Sequence, residues 1–197
     1  MSEPLLSLRD LSVAYRTDAG EVTAVEGASF DLSTGSITGL VGESGCGKTT
    51  LARCLTRVLA SNARISGGEA IFDGRDIVSL SERQMNALRW REISFIPQSA
   101  MNSLDPVYKV GTQLLEVLIR RGGMGRKAAR KRAEELFEWV GIETSRLDDY
   151  PHQFSGGMRQ RVAIALALAL NPKLIVADEP VTALDVVVQR QILDLLR

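Results

Sequence analysis

A chain of 197 residues can bury one substantial core with room for a small subdomain. With 45% apolar and 24% charged residues it has the composition of an ordinary globular protein. The 24 basic residues balance 24 acidic ones, which gives no sign of a nucleic-acid binder. The longest wholly apolar run, Val162 to Leu170, falls far short of the roughly 17–25 residues that a membrane helix needs. Met1-Ser2-Glu3-Pro4 has neither the basic nor the apolar region of a signal peptide, so a cytosolic chain is expected. Cys46 and Cys54 have no metal-site spacing and form no disulfide framework. Both are expected to be reduced thiols.

Taken in chain order, Leu6 to Tyr15 alternates as a strand and Val22 to Leu32 as another, with Thr17-Asp18-Ala19-Gly20 as the turn. Ile37 to Val41 reads as a short apolar strand running into a glycine loop, and Thr49 to Leu59 as the helix that follows. Gly68 to Asp73 is a strand ending at an Asp73-Gly74 turn signal. Ser81 to Arg91 is helical with Ser81 as N-cap. Ile93 to Ile96 is a strand stopped by Pro97. From Gly111 to Val140 the pattern is amphipathic helix, broken at Gly122-Gly123, with the basic stretch Arg126 to Arg132 as a solvated face. Ser155 to Leu170 is a helix, apolar on nearly all sides past Val162 and hence buried. Lys173 to Ala177 is a buried strand, and Val186 to Arg197 begins another helix.

Strands alternating with helices predict a mostly parallel α/β core. With the glycine loop Gly42-Glu43-Ser44-Gly45-Cys46-Gly47-Lys48-Thr49 between a strand and a helix, the fold expected is a phosphate-loop NTPase core with an N-terminal antiparallel β subdomain and a helical insertion. It forms a single domain, in which residues 1–99 and 158–197 make the core with its β subdomain and residues 100–157 the helical subdomain.

Three motifs carry chemistry that can be read from the residues. Gly42-Glu43-Ser44-Gly45-Cys46-Gly47-Lys48-Thr49 matches G-x-x-x-x-G-K-[ST] between a strand and a helix. Glycines let successive backbone N–H groups turn inward around phosphates, and the helix N-terminus adds partial positive charge. Lys48 is expected at the β- and γ-phosphates, Thr49 at Mg²⁺, and Thr50 among the nucleotide contacts. Asp178, at the end of Leu174-Ile175-Val176-Ala177, is expected to hold Mg²⁺. Glu179, just beyond it, can polarise water as a general base. In Phe154-Ser155-Gly156-Gly157-Met158, the Ser155 hydroxyl, the backbone N–H groups of Gly156 and Gly157 and the helix dipole offer an anion site.

The order of these motifs, with Ser155 lying 23 residues before Asp178, resembles the ATP-binding subunit of an ABC transporter over nearly the whole chain. The resemblance makes Phe154 to Met158 the family signature, with Met158 where Gln is usual. It makes Gln98, after Phe95-Ile96-Pro97, the glutamine whose amide oxygen reaches Mg²⁺ and the attacking water. It places Ala183-Leu184-Asp185 at the loop that meets a second subunit, and Tyr15 at the aromatic that stacks on adenine. Two head-to-tail subunits would then close over ATP, in a homo- or heterodimer.

Ala100-Met101-Asn102-Ser103-Leu104-Asp105-Pro106 and Tyr150 to Arg161 look like the peptide/nickel importer ATPases of the dipeptide and oligopeptide permease type. Asp105 stands where Asn is general, and Cys46 where Ser is frequent. The cofactors implied are ATP and Mg²⁺. The partners implied are transmembrane permease subunits, a second ATPase subunit and, indirectly, an extracytoplasmic solute-binding protein. The implied location is peripheral, on the cytoplasmic face of the inner membrane. The family's switch histidine comes about one strand after Asp185. His152 is the chain's one histidine and lies before the signature. The chain is therefore read as C-terminally truncated, which leaves a fragment that binds ATP without efficient hydrolysis as one alternative. A soluble ABC ATPase without a membrane partner is the other.

Overall fold

The computed structural model describes residues 3–98, 103–180, 189, 190 and 194. The chain divides into two compact units, Met1–Leu88 and Arg89–Arg197.

The first unit is built on a four-stranded antiparallel sheet. Strand β1 (Leu6–Thr17) lies between β2 (Gly20–Leu32) and β3 (Ala63–Phe72), and β4 (Arg75–Asp76) pairs with β3. The first two strands are joined at the predicted turn, where Thr17 pairs with Gly20. Along β1 the side chains of Leu6, Leu8, Leu11 and Val13 are buried. Between Leu8 and Leu11 the register shifts, and Asp10 adopts φ 49°. Gly68 is needed opposite this bulge, because a Cβ there would lie 2.3 Å from the Asp10 carbonyl oxygen.

Helix α1 (Lys48–Leu55) buries Leu51, Ala52, Cys54 and Leu55 and ends earlier than the sequence pattern predicts. Helix α2 (Glu82–Leu88) opens at Ser81 as expected. The Ser81 backbone N–H donates to Gln84 Oε1 (2.9 Å), and the Gln84 N–H donates weakly to Ser81 Oγ (3.4 Å), a reciprocal cap. Ile37 to Val41 does not form a strand, against expectation, and Val41 is 90% exposed. Apolar content favours a strand only where a hydrogen-bonded neighbour completes its ladder. Among the described residues none pairs with this run.

The second unit holds one parallel pair among its described residues, β5 (Ile93–Ile96) and β6 (Leu174–Ala177). Helix α3 (Val110–Glu116) continues as a π-helical turn over Val117–Arg121. The chain breaks at Gly122 and Gly123, as predicted, before α4 (Arg126–Trp139). Two short 3₁₀ turns, Thr144–Asp148 and Pro151–Gln153, lead to α5 (Gly156–Leu168). One apolar cluster joins these pieces: Ile96 from β5, Leu114 and Leu118, Leu136 and Phe137 from α4, and Val162, Ile164 and Ala165 from α5. Gly111 lets α3 sit close against the turn at Leu147, whose carbonyl oxygen a Cβ would meet at 2.5 Å. The fold is thus mixed α/β with an N-terminal antiparallel sheet, as the sequence predicts.

Phe137 is fully buried in the cluster that holds α3, α4 and α5 together. Phe137→Ala is expected to lower unfolding stability by about 3–5 kcal/mol, read from the urea midpoint. A loss under about 1 kcal/mol would show that this cluster does not organise the unit.

Candidate active site

The phosphate loop lies wholly in the first unit. Gly45 and Gly47 take φ 82° and 93°, the left-handed region where a side chain is strained. At Gly47 a Cβ would also stand 2.3 Å from the Ala24 carbonyl oxygen, so only glycine can start α1 here. Lys48 Nζ donates to the carbonyl oxygens of Gly42 (2.8 Å) and Glu43 (2.6 Å) and lies 3.6 Å from Cys46 Sγ. The lysine thus folds back over its own loop. The Cys46 N–H closes the turn on the Glu43 carbonyl at 3.3 Å. Ser44 is exposed, like the rest of Gly42 to Cys46. Thr49 and Thr50 fall in the first turn of α1, where backbone N–H groups point out of the helix end. Tyr15, on β1, brings its hydroxyl 3.2 Å from Thr50 Oγ1.

In the second unit, the register of β5 and β6 assembles the acidic centre. Ile96 pairs with Ala177, and the Asp178 N–H donates to the Ile96 carbonyl at 2.9 Å. Two residues beyond each strand, Gln98 Nε2 donates to Glu179 Oε2 at 2.8 Å. Asp178 is buried, at 8% exposure, at the end of β6. Glu179 has φ 50°, an uncommon conformation for a side chain that branches from an L-residue.

Ser155 is the N-cap of α5, and its hydroxyl accepts from the Met158 N–H at 3.3 Å. Gly156 and Gly157 form the first turn of the helix. The loop before it is held by Arg146, a residue the motif reading passed over. Its Nε donates to Asp149 Oδ2 and its Nη2 to the Gln153 carbonyl, both at 2.9 Å. Its guanidinium lies 4.9 Å from the Phe154 ring centre, and its Nη1 is 3.8 Å from Met158 Sδ. Met158 therefore meets the arginine through its thioether sulfur, a weak acceptor. His152 stacks on Tyr150 with ring centres 5.8 Å apart.

Gln160 was also missed. It is 1% exposed on α5, and its Nε2 donates to the Pro180 carbonyl at 2.6 Å. The signal available was a polar residue set just ahead of a helix stretch that is apolar nearly all round. Ala183-Leu184-Asp185 and the stretch Ala100 to Asn102 lie outside the described residues. Among the described residues, no helix is long and apolar enough to cross a membrane.

The phosphate loop, the carboxylates ending a parallel strand and the serine-capped glycine helix are the parts of an ATP-binding cassette. The family model described as "ABC transporter" matches residues 25–182, and the chain belongs to that family. The oligopeptide transport ATP-binding protein OppD of Bacillus subtilis is 47% identical over 98% of this chain and 55% of its own length. OppD of Salmonella typhimurium is 50% identical over 98% of this chain and 58% of its own length. The chain thus spans between half and three fifths of these relatives. The solved dimeric structure of the cassette MJ0796 in a post-hydrolysis state, bound to ADP and Pi, matches with TM-score 0.87. That match is 30% identical and covers 97% of this chain and 81% of the other.

The two thiols differ in environment. Cys54 is buried in α1, and burial pushes its thiol up to about 11, with Arg57 pulling weakly the other way. Cys46 is exposed on the phosphate loop. At pH 8 a maleimide is expected to modify Cys46 alone, with Cys54 reacting only after denaturation. Equal labelling of both in the native protein, read by mass spectrometry, would contradict the burial of α1.

Proposed function

We propose that this chain is the ATP-hydrolysing portion of an ABC importer subunit, and that the solute is a peptide or a related small molecule. The observation that carries the catalytic reading is the contact between Gln98 and Glu179 at the end of the parallel pair. The names of the relatives support the solute class.

The roles follow from the chemistry of each group. The backbone N–H groups of Gly42 to Gly47 cradle the phosphates, and Lys48 exchanges its carbonyl contacts at Gly42 and Glu43 for the β- and γ-phosphate oxygens. Those carbonyls hold the ammonium at the loop. Tyr15 stacks on the adenine. Ser155, Gly156 and Gly157 present a capped helix N-terminus to the γ-phosphate of a second subunit's ATP. Residues 100–157 form the helical subdomain that docks to the membrane subunits.

Glu179 takes the proton of the attacking water as that water adds to the γ-phosphorus and ADP leaves. The Gln98 amide N–H fixes the carboxylate's direction and leaves Gln98 Oε1 to face the water. The Thr49 hydroxyl of the first unit, and the Asp178 carboxylate and Gln98 Oε1 of the second, are each hard oxygen donors and would be the groups to hold Mg²⁺. When bound, the ion neutralises phosphate charge. A dimer closed by ATP, on permease subunits at the cytoplasmic membrane face, completes the reading. The dimeric MJ0796 cassette supports the paired arrangement.

Two substitutions separate binding from chemistry in the full-length protein. Lys48→Ala is expected to weaken ATP binding at least about tenfold by equilibrium titration. Glu179→Gln keeps size and hydrogen bonding but removes basicity. It should bind ATP normally and lose hydrolysis by about 10²–10⁴. Wild-type turnover in the glutamine variant would remove Glu179 from the reaction.

A further inference from the structure

Glu179 is held in a conformation its own sequence opposes. Its φ of 50° lies in the left-handed region, where a non-glycine residue is strained and persists only if its surroundings enforce it. The next residue is Pro180. A residue before proline is driven toward extended backbone by the clash with the proline ring. Extended backbone at Glu179 would change the direction of its carboxylate.

Three hydrogen bonds oppose that change. The Asp178 N–H is fixed to the Ile96 carbonyl upstream, and the Glu179 carboxylate is fixed to Gln98 at its side-chain end. Downstream, the Pro180 carbonyl accepts from Gln160 Nε2 at 2.6 Å. Gln160 is 1% exposed, so its amide is held in place by the packing around α5. Proline has no N–H, so its carbonyl is the one backbone hydrogen-bonding group by which this residue can be anchored.

We propose that Gln160 is a positioning residue for the general base: from inside the signature helix it clamps the backbone just beyond Glu179 and so keeps the carboxylate aimed. This rests on the reading of Glu179 as the base. It also gives the signature helix a direct hold on the hydrolytic residue of its own chain. Ser155 at the head of α5 and Gln160 within it belong to one rigid element.

Steady-state ATP hydrolysis and ATP affinity of the full-length protein test the proposal in four forms: wild type, Glu179→Gln, Gln160→Leu and Gln160→Glu. Gln160→Leu keeps the bulk and removes the donor. Its kcat is expected to fall about tenfold, the worth of one hydrogen bond, with ATP affinity within about twofold of wild type. Gln160→Glu supplies a donor only when protonated, and a buried carboxyl titrates well above its usual range. The ratio of its rate to the wild-type rate is therefore expected to rise as the pH is lowered from about 8 to about 6. Recovery with acid identifies the donor, rather than the bulk of the side chain, as what hydrolysis needs, and unchanged ATP affinity separates this from a general loss of structure.

A pH-independent ratio for Gln160→Glu overturns the proposal, whether or not the leucine variant folds. An unchanged kcat in folded Gln160→Leu does the same. If Glu179→Gln turns over at the wild-type rate, the reading of the base fails and this inference falls with it. If Glu179→Gln is inactive while both Gln160 variants match wild type, the clamp alone is wrong.

Discussion

The parallel register of β5 and β6 is the constraint on which the acidic centre depends. Because Ile96 stands beside Ala177, the residues two positions past each strand also stand beside one another. Those residues are Gln98 and Glu179, and they meet at 2.8 Å. A slip of one residue in this pair would turn every side chain of one strand to the opposite face and separate amide from carboxylate. The ladder itself extends one bond past the strand, from the Asp178 N–H to the Ile96 carbonyl. Pairing that fixes backbone therefore also fixes chemistry.

Helix α5 supports that register from one side and carries the signature at its head. Val162, Ile164 and Ala165 pack into the cluster that includes Ile96 of β5. At its start, Ser155 caps the helix, and Arg146 ties the preceding loop to Asp149, Gln153 and the Phe154 ring. Arg161, one residue past Gln160, donates to the Val140 and Gly141 carbonyls at 3.1 and 2.8 Å, capping the end of α4. A single helix thus joins the glycine turn, the end of the helical segment and the backbone beyond Glu179.

Much of this was legible in the sequence because it rests on local chemistry. The turn at Thr17 to Gly20, the cap at Ser81 and the stop at Pro97 each follow from what one side chain or ring permits. The phosphate loop is legible for the same reason: Gly47 starts a helix against the Ala24 carbonyl and tolerates no other residue. The strand expected at Ile37 to Val41 did not appear, since an apolar run specifies burial and says nothing of a hydrogen-bonding neighbour. The extra length of β3 was hidden for a related reason. Ala63 to Gly67 alternates poorly, and its pairing with Ser12 to Tyr15 supplies what its composition does not. Arg146 and Gln160 were harder to read because each holds a backbone carbonyl, at Gln153 and Pro180, and a carbonyl leaves no trace in the residue pattern. The left-handed backbone at Glu179 was hidden because the following proline argues for the opposite.

The central claim is that the Gln98 amide and the Glu179 carboxylate act as one unit in hydrolysis. A double-mutant cycle on kcat tests it, using Gln98→Ala, Glu179→Asp and the pair. The aspartate keeps the charge but withdraws it by one methylene from the amide. Any effect of Gln98 on metal or nucleotide is common to both backgrounds and cancels. The account predicts that Gln98→Ala costs markedly less in the aspartate background, with a coupling of about 1 kcal/mol or more. The same fold-loss in both backgrounds would contradict it and would show that the two side chains contribute independently.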